Sequence, residues 1–431
     1  MLERLFQLNK RNTNVQTEAL AGLTTFMTMA YILFVNPLIL SGIPALKESV
    51  PQLVAATCLG AALSCLLMGF LSNAPLALAP GMGLNAALVA LCVNQGVSWH
   101  TAMGVIFVEG FIITLLVITK LREAILKAIP TCLKHAISVG IGLFIAEIGL
   151  VNAGFIKINQ PTAPLTFGSF QDQGVLVASI GLLLTLVLVA RKVRAALLLG
   201  ILATTVIAIA TGLSKMPSAF VQVPHFDTVA KIDLFGALRP ALWTTILAFM
   251  LSDFFDTMGT AISIHKQAGL LDAKGRIPKA RALLLADSLA AMIGGFCGCS
   301  SCTSYIESGT GVGEGGRTGL MPVVTGILFL LALFLSPLVG SVPPQATAPA
   351  LIVVGYIMLS ALRDIETDKP EEMLPVFLTL ITIPLTYSIA HGIGFGFITY
   401  ALLMAVTGRA KEVHPLLWGV TALFVFSFAV R

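Results

Sequence analysis

The sequence predicts an all-α polytopic membrane protein. Its 431 residues are 57% hydrophobic and only 11% charged, whereas soluble domains carry about 25% charge. The apolar residues fall into runs of about 20, the length that crosses the hydrocarbon core as a helix. Two regions of the chain are interrupted by Gly, Pro, Ser and Thr, at residues 79–85 and 299–307. We therefore expect helices throughout, with two irregular breaks at membrane depth.

Taken in order, the apolar runs give about fourteen spans in two halves. The first half contains 18–40, 52–71, a short segment after Asn85, 101–119, 134–151, 174–190 and 195–211. A long mixed loop follows. The second half contains 240–262, 280–296, a short segment after Glu307, 319–339, 346–362, 373–390 and 392–407. The pattern leaves open whether a last run at 415–430 spans the membrane or lies against the bundle.

Basic residues predict the orientation of these spans. Arg4, Lys10 and Arg11 precede the first span, which places the N-terminus in the cytoplasm because cytoplasmic loops are rich in Lys and Arg. Counting crossings, nearly every later inside loop is also basic, provided that both broken segments cross. These loops contain Lys120, Arg122, Lys127, Lys134, Arg191, Lys192, Arg194, His265, Lys266, Lys274, Arg276, Lys279, Arg281, Arg317, Arg363, Lys369, Arg409 and Lys411.

The two halves repeat one pattern of segment lengths. Asn85 and Glu307 are 222 positions apart, and the same offset carries 18–40 onto 240–262. Seven crossings is an odd number, so the second repeat enters from the opposite side of the membrane. That is the inverted-repeat architecture of secondary transporters, which bind their ligand near the midplane at the repeat interface. The predicted units are a first repeat at 1–212, an extracytoplasmic loop at 213–239 and a second repeat at 240–431.

Four acidic residues stand out within or beside the predicted spans, where ionisable side chains are costly and usually functional. Asp253 and Asp256 are three residues apart, which puts both on one helical face. Glu307 begins the short helix after the second break, and Asp287 lies inside the 280–296 run. No span contains an obvious buried Lys or Arg to neutralise them, so apolar burial favours protonation and proton exchange. The alternative, a purely structural hydrogen-bonding role, weighs most for Asp287.

Other polar residues in the spans have a structural interpretation. We interpret Glu109 and Glu147 as packing or gate residues, and His391 as interfacial. The Cys-x-Cys-x-x-Cys spacing at 297–302 has no His nearby, and small residues there would let helices approach closely. We therefore expect neither a metal site nor a cofactor.

The two breaks also place fixed partial charges at the membrane centre. A half-helix that starts after Gly83 or Tyr305 points its dipole and free N–H groups there. Asn85 offers both a donor and an acceptor, and the acidic residues accept hydrogen bonds when ionised. A planar heterocycle with N–H donors and ring-nitrogen or carbonyl acceptors matches such a cleft. Tyr305 can be a ring wall of the cleft or a packing residue.

The motifs around these residues resemble those of the AzgA-like purine permeases, a branch of the nucleobase–cation symporters related to the uracil and xanthine permeases. The resemblance covers nearly the whole chain, and the motifs are specific only in combination. They are GLTTF at 22–26, NP at 36–37, APGMGLNA at 79–86, FDTMGT at 255–260, YIES at 305–308, GGRTGL at 315–320 and ATAPA at 346–350.

The resemblance implies a fourteen-helix, seven-plus-seven inverted fold in which half-helices TM3 and TM10 follow short extended breaks. Its core would comprise 15–120 and 240–340, and its gate 121–212 and 341–431. It also implies import of adenine, guanine or hypoxanthine with protons across the cytoplasmic membrane. The partners are then the purine, H⁺ and membrane lipid, without nucleic acid, and a homodimer through the gate is left open.

Site residues follow from the same resemblance. The family's binding positions carry over to Gly83, Asn85, Asp253, Asp256 and Glu307. Their neighbours complete the predicted substrate-binding set, namely Leu84, Thr257, Tyr305 and Ile306. The residues predicted to carry the coupled proton are Asp256, Glu307 and Asp287.

Several alternatives stay open at this stage. Some adenine-selective relatives have Asn in place of Asp253, so the preferred base is undecided. The uracil and xanthine permeases use a Glu in the eighth helix and an aromatic residue near the third-helix break, where this chain has Asp256 and Leu84. Coupling to Na⁺ instead of H⁺ would change only the cation, and an anion carrier would favour cationic or neutral breaks. An intramembrane aspartyl hydrolase is disfavoured because Asp253 and Asp256 share one helix, whereas a catalytic dyad converges on one water.

Overall fold

The computed structural model describes residues 2–119, 128–158, 165–217, 219–272, 276–365 and 369–430. Within these ranges the chain is mostly helical, with four strands of three residues each. The first half comprises α1 (Leu2–Phe6), α2 (Val15–Met29), α3 (Ile32–Leu40), α4 (Val50–Ser72), β1 (Leu78–Pro80), α5 (Met82–Gln95), α6 (Trp99–Ile118), α7 (Thr131–Asn152), β2 (Ile156–Ile158), β3 (Leu165–Phe167), α8 (Gln173–Ala190) and α9 (Ala196–Ala210).

The second half begins after the long loop. It comprises α10 (Leu234–Ala237), α11 (Trp243–Gln267), α12 (Ala280–Cys297), β4 (Cys302–Ser304), α13 (Ser308–Gly313), α14 (Leu320–Ala332), α15 (Ser336–Val339), α16 (Pro344–Met358), α17 (Pro370–Thr386), α18 (Ile389–Val406) and α19 (Pro415–Val430). Polar residues begin several of the helices in both halves. Asn14, for example, accepts a 2.9 Å hydrogen bond from the N–H of Thr17 and so satisfies an orphan donor of α2.

The first predicted span is one apolar segment, Val15–Leu40, in which a tight turn separates two helices. Helix α2 ends at Met29 and α3 begins at Ile32, with Ala30 and Tyr31 at the join. Here the N–H of Leu33 bonds the carbonyl of Ala30, and the N–H of Phe34 bonds that of Tyr31, each at 3.1 Å. These i+3 bonds tighten the turn. Tyr31, within this turn, is fully buried. The sequence has no Gly or Pro between Ala30 and Ile32 from which the turn could be predicted.

The two sequence breaks pair with each other as antiparallel strands. In this β1–β4 ladder Leu78 lies opposite Ser304, and Pro80 opposite Cys302. The N–H of Gly81 extends the pairing by donating 2.9 Å to the carbonyl of Ser301. Irregular backbone in a membrane is tolerated only where its polar groups find partners inside the protein. The pairing meets that requirement and brings the two halves of the chain together.

Small residues let the helices around this ladder approach closely. A Cβ added to Gly319 would lie 2.1 Å from the carbonyl oxygen of Gly69, which joins the start of α14 to α4. A Cβ on Gly110 of α6 would lie 2.9 Å from the carbonyl oxygen of Ser288 of α12. Close approach of this kind lets helices associate by packing, which is the main attraction between helices in lipid.

Ten helical segments in the described residues are long and apolar enough to span a membrane. Three shorter apolar helices accompany them: Met82–Gln95, Ala196–Ala210 and Pro415–Ala429. The chain is therefore a multi-pass, mostly helical membrane protein. The helix after the second break has only six residues, and the fourteen-span count stays a prediction. Four predicted inside residues, Lys120, Arg122, Lys127 and Lys274, lie outside the described ranges.

Candidate functional site

A cavity lies where the paired breaks meet the long helices, and its empty space, open solvent included, is about 810 Å³. The turn into α5, the middle of α11 and the segment after β4 form one side. Helices α7 and α16 form the other, and it is mostly apolar, with Ile137, Ile141, Ile145 and Val354. The cavity is thus polar on the side of the breaks and apolar opposite.

The structure brings most of the predicted site residues to this cavity. It places three of them outside the cavity lining, fully buried in the protein. The residues at the cavity are Gly83, Leu84, Asp253, Asp256, Tyr305, Ile306 and Glu307, and those behind it are Asn85, Thr257 and Asp287.

Three carboxyl groups face the cavity from two elements. Asp253 and Asp256 lie on consecutive turns of α11, and Glu307 immediately precedes α13. The Asp256 carboxyl accepts a hydrogen bond from Thr303 and interacts electrostatically with Glu307. The described residues that line the cavity include no Lys, Arg or His. An anionic ligand would therefore meet uncompensated negative charge, whereas a neutral ligand with N–H donors would meet acceptors.

Glu307 is held by a residue that the sequence analysis missed. The hydroxyl of Tyr31, at the join between α2 and α3, donates a 2.7 Å hydrogen bond to Oε1 of Glu307. Tyr31 is fully buried and also lines the cavity. Its only sequence signal is a tyrosine inside an apolar run, which is compatible with ordinary packing. Tyr305, by contrast, turns its hydroxyl to the carbonyl of Pro80 at 2.5 Å and thereby ties β1 to the start of α13.

The helix starts differ slightly from the prediction. Helix α5 begins at Met82 with Gly81 as its cap, rather than after Gly83, so the N–H groups of Gly83 and Leu84 belong to its first turn. First-turn N–H groups have no partner within their own helix. Asn85 follows one position later and points into the protein, where its Nδ2 donates 2.5 Å to Oδ1 of Asn36. Its amide supports the break and does not line the cavity.

Asp287 lies behind the cavity wall in a network of hydroxyl groups. Its Oδ2 accepts a 2.7 Å hydrogen bond from Thr257, and its Oδ1 accepts one of 3.1 Å from Ser304. The hydroxyl of Thr257 is also 3.2 Å from that of Thr303, which lines the cavity. Thr303 is a second residue that the sequence analysis missed, although its position as a polar residue inside a break could have indicated it. The network connects α12 to the cavity.

The cysteines of the second break make a packing contact. The sulfurs of Cys299 and Cys302 are 3.9 Å apart. A Cβ on Gly60 of α4 would lie 2.4 Å from Sγ of Cys299, so this glycine lets α4 approach the break. Among the described residues no group of three or more His, Cys, Asp or Glu is arranged to hold a metal ion.

Comparison with known proteins agrees with this geometry. A protein-family model described as "Permease family" matches residues 16–395. The guanine/hypoxanthine permease PbuG of Bacillus subtilis is 42% identical over 438 residues, covering 99% of this chain and 99% of the relative. The adenine permease AdeP of Escherichia coli is 41% identical over 433 residues, covering 99% of this chain and 95% of the relative.

Among solved structures, the transmembrane domain of a cyanobacterial bicarbonate transporter, BicA, matches with a TM-score of 0.66. The match covers 88% of this chain and 97% of that one at 16% identity, so it shows a shared fold only. The resemblance to adenine and guanine/hypoxanthine permeases is confirmed by the sequence relatives, and the aspartyl hydrolase alternative is excluded. The chain belongs to the permease family and is a membrane transport protein, not an enzyme.

Proposed function

We propose that the chain imports a purine nucleobase, adenine, guanine or hypoxanthine, together with protons across the cytoplasmic membrane. The observation that carries this proposal is the cavity itself. Carboxyl groups face the first turn of a half-helix there. The chain is also about 40% identical to adenine and guanine/hypoxanthine permeases over nearly its whole length. The base preference stays open because relatives of both kinds are similarly distant.

The polar groups of the cavity suit the edge of a purine. Glu307 and Asp256 accept hydrogen bonds when ionised, so they can bind the N–H groups of the base. The first-turn N–H groups of Gly83 and Leu84 can donate to a ring nitrogen or a carbonyl oxygen. The apolar wall from α7 and α16 can cover the ring face. Gly83, Leu84, Asp253, Asp256, Tyr305, Ile306 and Glu307 then contact substrate, and Asn85 and Thr257 support them from behind.

The same carboxyl groups supply a reason for proton coupling. Moving an ionised carboxylate past an apolar gate is costly in a medium of low dielectric constant, and a bound proton removes that charge. We assign the coupled proton to Asp256 or Glu307, with Asp287 connected to them through hydroxyl groups. One charge crossing 100 mV is worth about 2.3 kcal/mol, which can sustain roughly 50-fold accumulation.

Alternating access follows if the inverted-repeat prediction is correct. The cavity lies between elements predicted to form the core (α5, α11 and the β1–β4 ladder) and elements predicted to form the gate (α7 and α16). Relative movement of these two groups would expose the cavity first to one side and then to the other.

Uptake in cells that lack their own nucleobase carriers tests the proposal. Labelled adenine, guanine and hypoxanthine should accumulate, a protonophore should abolish the accumulation, and sodium-free medium should leave it unchanged. Glu307→Gln keeps the shape of the side chain but cannot be ionised, so proton-driven accumulation should be lost. Glu48→Gln, in an exposed loop, is the matched control and should behave as wild type.

Three outcomes would contradict parts of the proposal. Competition by uracil or xanthine, with no competition by the three purines, would favour the related uracil/xanthine type. Dependence on sodium would replace the proton by Na⁺. Protonophore-sensitive accumulation by the Glu307→Gln variant at the wild-type level would show that Glu307 is not a coupling residue.

A further inference from the structure

One buried carboxyl group has no role in the proposed substrate cavity. Glu109 lies in α6 and has no solvent-exposed surface. Neither of its carboxyl oxygens has a hydrogen-bond partner among the described residues. Ionisable side chains in this position are costly and are retained where they bind or transfer an ion. The charged and polar groups around Glu109 therefore indicate which ion it can bind.

The charged group that acts on Glu109 electrostatically is another carboxyl group. Helices α6 and α12 approach closely at Gly110. The hydroxyl of Thr114 donates a 3.0 Å hydrogen bond to that of Ser288 across the same interface. The residues adjacent to Gly110 and Ser288 are Glu109 and Asp287, whose carboxyl groups interact electrostatically. Two carboxyl groups thus share one interface between helices.

The other charged groups near α6 act at a distance from Glu109. Arg281 of α12 donates to the carbonyl of Ile118, nine residues further along α6 and therefore about 13 Å away along its axis. Asp233, just before α10, accepts from Thr101, eight residues in the other direction. The remaining charged or titratable residues on α10, α11 and their flanks are Arg239, Asp253, Asp256, His265 and Lys266. Among the described residues, Asp287 is the group whose charge acts on Glu109.

Asp287 connects this interface to the cavity. Thr257 donates to its Oδ2 at 2.7 Å and lies 3.2 Å from the hydroxyl of Thr303. Thr303 in turn lines the cavity and donates to Asp256. Carboxyl and hydroxyl groups therefore form a continuous series from Asp287 to the substrate cavity, with Glu109 at its far end.

We propose that Glu109 and Asp287 together form a second proton-binding site, outside the substrate cavity, which is loaded and emptied in each transport cycle. The inference rests on the proposed proton-coupled function. Binding one proton converts one carboxylate of the pair to a carboxylic acid, which can donate a hydrogen bond to the other. Release of the proton leaves two like charges in an apolar interface, a state that favours rebinding.

A proton fits this pair better than a metal cation. Calcium requires six to eight oxygen ligands and magnesium an octahedral shell, and among the described residues no group of three or more acidic, His or Cys residues is arranged to hold a metal ion. A proton, by contrast, needs only one carboxyl oxygen. Sodium is the competing occupant and is an arm of the test.

The test uses the purified full chain in proteoliposomes, with Glu109→Gln, Glu109→Asp and the exposed-loop control Glu48→Gln. Purine counterflow, which needs no net proton movement, should stay within about twofold of wild type in the Gln variant. Purine accumulation by the Glu109→Gln variant at 100 mV should fall about 50-fold, because one proton fewer is coupled to transport. The proton-to-purine ratio from reversal potentials should fall by one. The Asp variant keeps a titratable group and should retain the wild-type ratio.

Several outcomes would overturn the inference. One is that the Glu109→Gln variant keeps the proton-to-purine ratio and the pH profile of wild type. Another is that the coupling ratio changes with sodium concentration instead of with pH. If the Gln variant does not fold, as judged by its thermal unfolding in detergent, the Asp variant decides. Its shorter side chain should move the pH midpoint of uptake, and an unchanged midpoint overturns the inference. Wild-type uptake that is independent of protons would instead refute the proposed function, so the two failures are distinguishable.

Discussion

Tyr31 donates a 2.7 Å hydrogen bond to Glu307, although 276 residues separate them in the chain. The contact joins the interruption between α2 and α3 to the residue that immediately precedes α13. Both side chains line the cavity, so the acceptor capacity of Glu307 is shared between Tyr31 and any bound molecule. The orientation of this carboxyl group is therefore set from the opposite half of the chain.

Replacing Tyr31 by Phe should weaken purine binding. The change removes the hydroxyl and keeps the ring, so Glu307 loses a donor without a change in packing. A hydrogen bond to a charged group contributes about 1.5–3 kcal/mol, which corresponds to roughly a 10- to 100-fold change in affinity. We expect KM for purine uptake to rise at least about tenfold, with a smaller change in kcat.

Tyr356→Phe is the matched control for this change. Tyr356 lies on α16 with 66% of its surface exposed, and its replacement should leave KM unchanged. An unaltered KM in Tyr31→Phe would contradict a positioning role for the Tyr31 hydroxyl.

A methyl group at Gly83 should block the approach of α5 to α7. A Cβ there would lie 2.2 Å from Cγ2 of Ile141, so one of the two helices has to move. Overpacking of this kind costs about 1–3 kcal/mol. Gly83→Ala should therefore reduce purine uptake and lower the unfolding temperature.

The partner residue provides a test of this cause. Ile141→Ala removes the clashing methyl group, and the Gly83→Ala, Ile141→Ala double variant should recover stability relative to Gly83→Ala alone. A strictly additive loss in the double variant would show that the two positions do not interact.

One ion pair joins the predicted gate to the predicted core. Nη2 of Arg194, in the loop between α8 and α9, is 2.6 Å from Oε1 of Glu314, just after α13. The side chain of Arg194 is 73% exposed, so the pair is worth only about 0.2–1 kcal/mol. That is enough to alter the balance between two conformations by up to about fivefold.

Charge reversal at this pair tests its effect on transport. Arg194→Glu and Glu314→Arg should each change the uptake rate by up to about fivefold, and the double reversal should restore it. The single-variant effects should shrink at high salt because exposed charges are screened. Single effects that the double reversal fails to correct would show that the pair does not contribute.

Asp233 should make stability depend on pH in the acid range. Hydrogen bonds from the N–H of Gly236 and the hydroxyl of Thr101 lower the pKa of Asp233. Because the folded-state pKa is the lower one, the stabilisation is fully present above the usual aspartate range near pH 4 and is lost as pH falls through the lowered value.

Asp233→Asn should accordingly lower the unfolding temperature at neutral pH, since an amide offers only one acceptor oxygen for two donors. The difference from wild type should narrow as pH falls toward 3, as measured by thermal unfolding of both proteins between pH 3 and 7. A difference that is constant over this range would contradict the assignment.

Some features of the site were predictable because they break a local pattern. Acidic residues such as Asp256 and Glu307 stand out in apolar runs, and Gly and Pro stand out where a helix is expected. Tyr31 was not recognised, because a tyrosine in an apolar run is equally compatible with packing, and for the same reason Glu109 was interpreted as a packing or gate residue. Asn85 was placed in the binding set because it follows the first break and matches the family motif, and its amide donates instead to Asn36.

The sequence by itself determined the class of protein and the positions of the two breaks, because burial in lipid demands long apolar helices and penalises unpaired backbone. Only the tertiary structure decided which groups meet. The β1–β4 pairing, the Tyr31–Glu307 hydrogen bond and the Glu109–Asp287 interface join residues 178 to 276 positions apart. Such contacts depend on the packing of small residues between helices, and no local pattern specifies them.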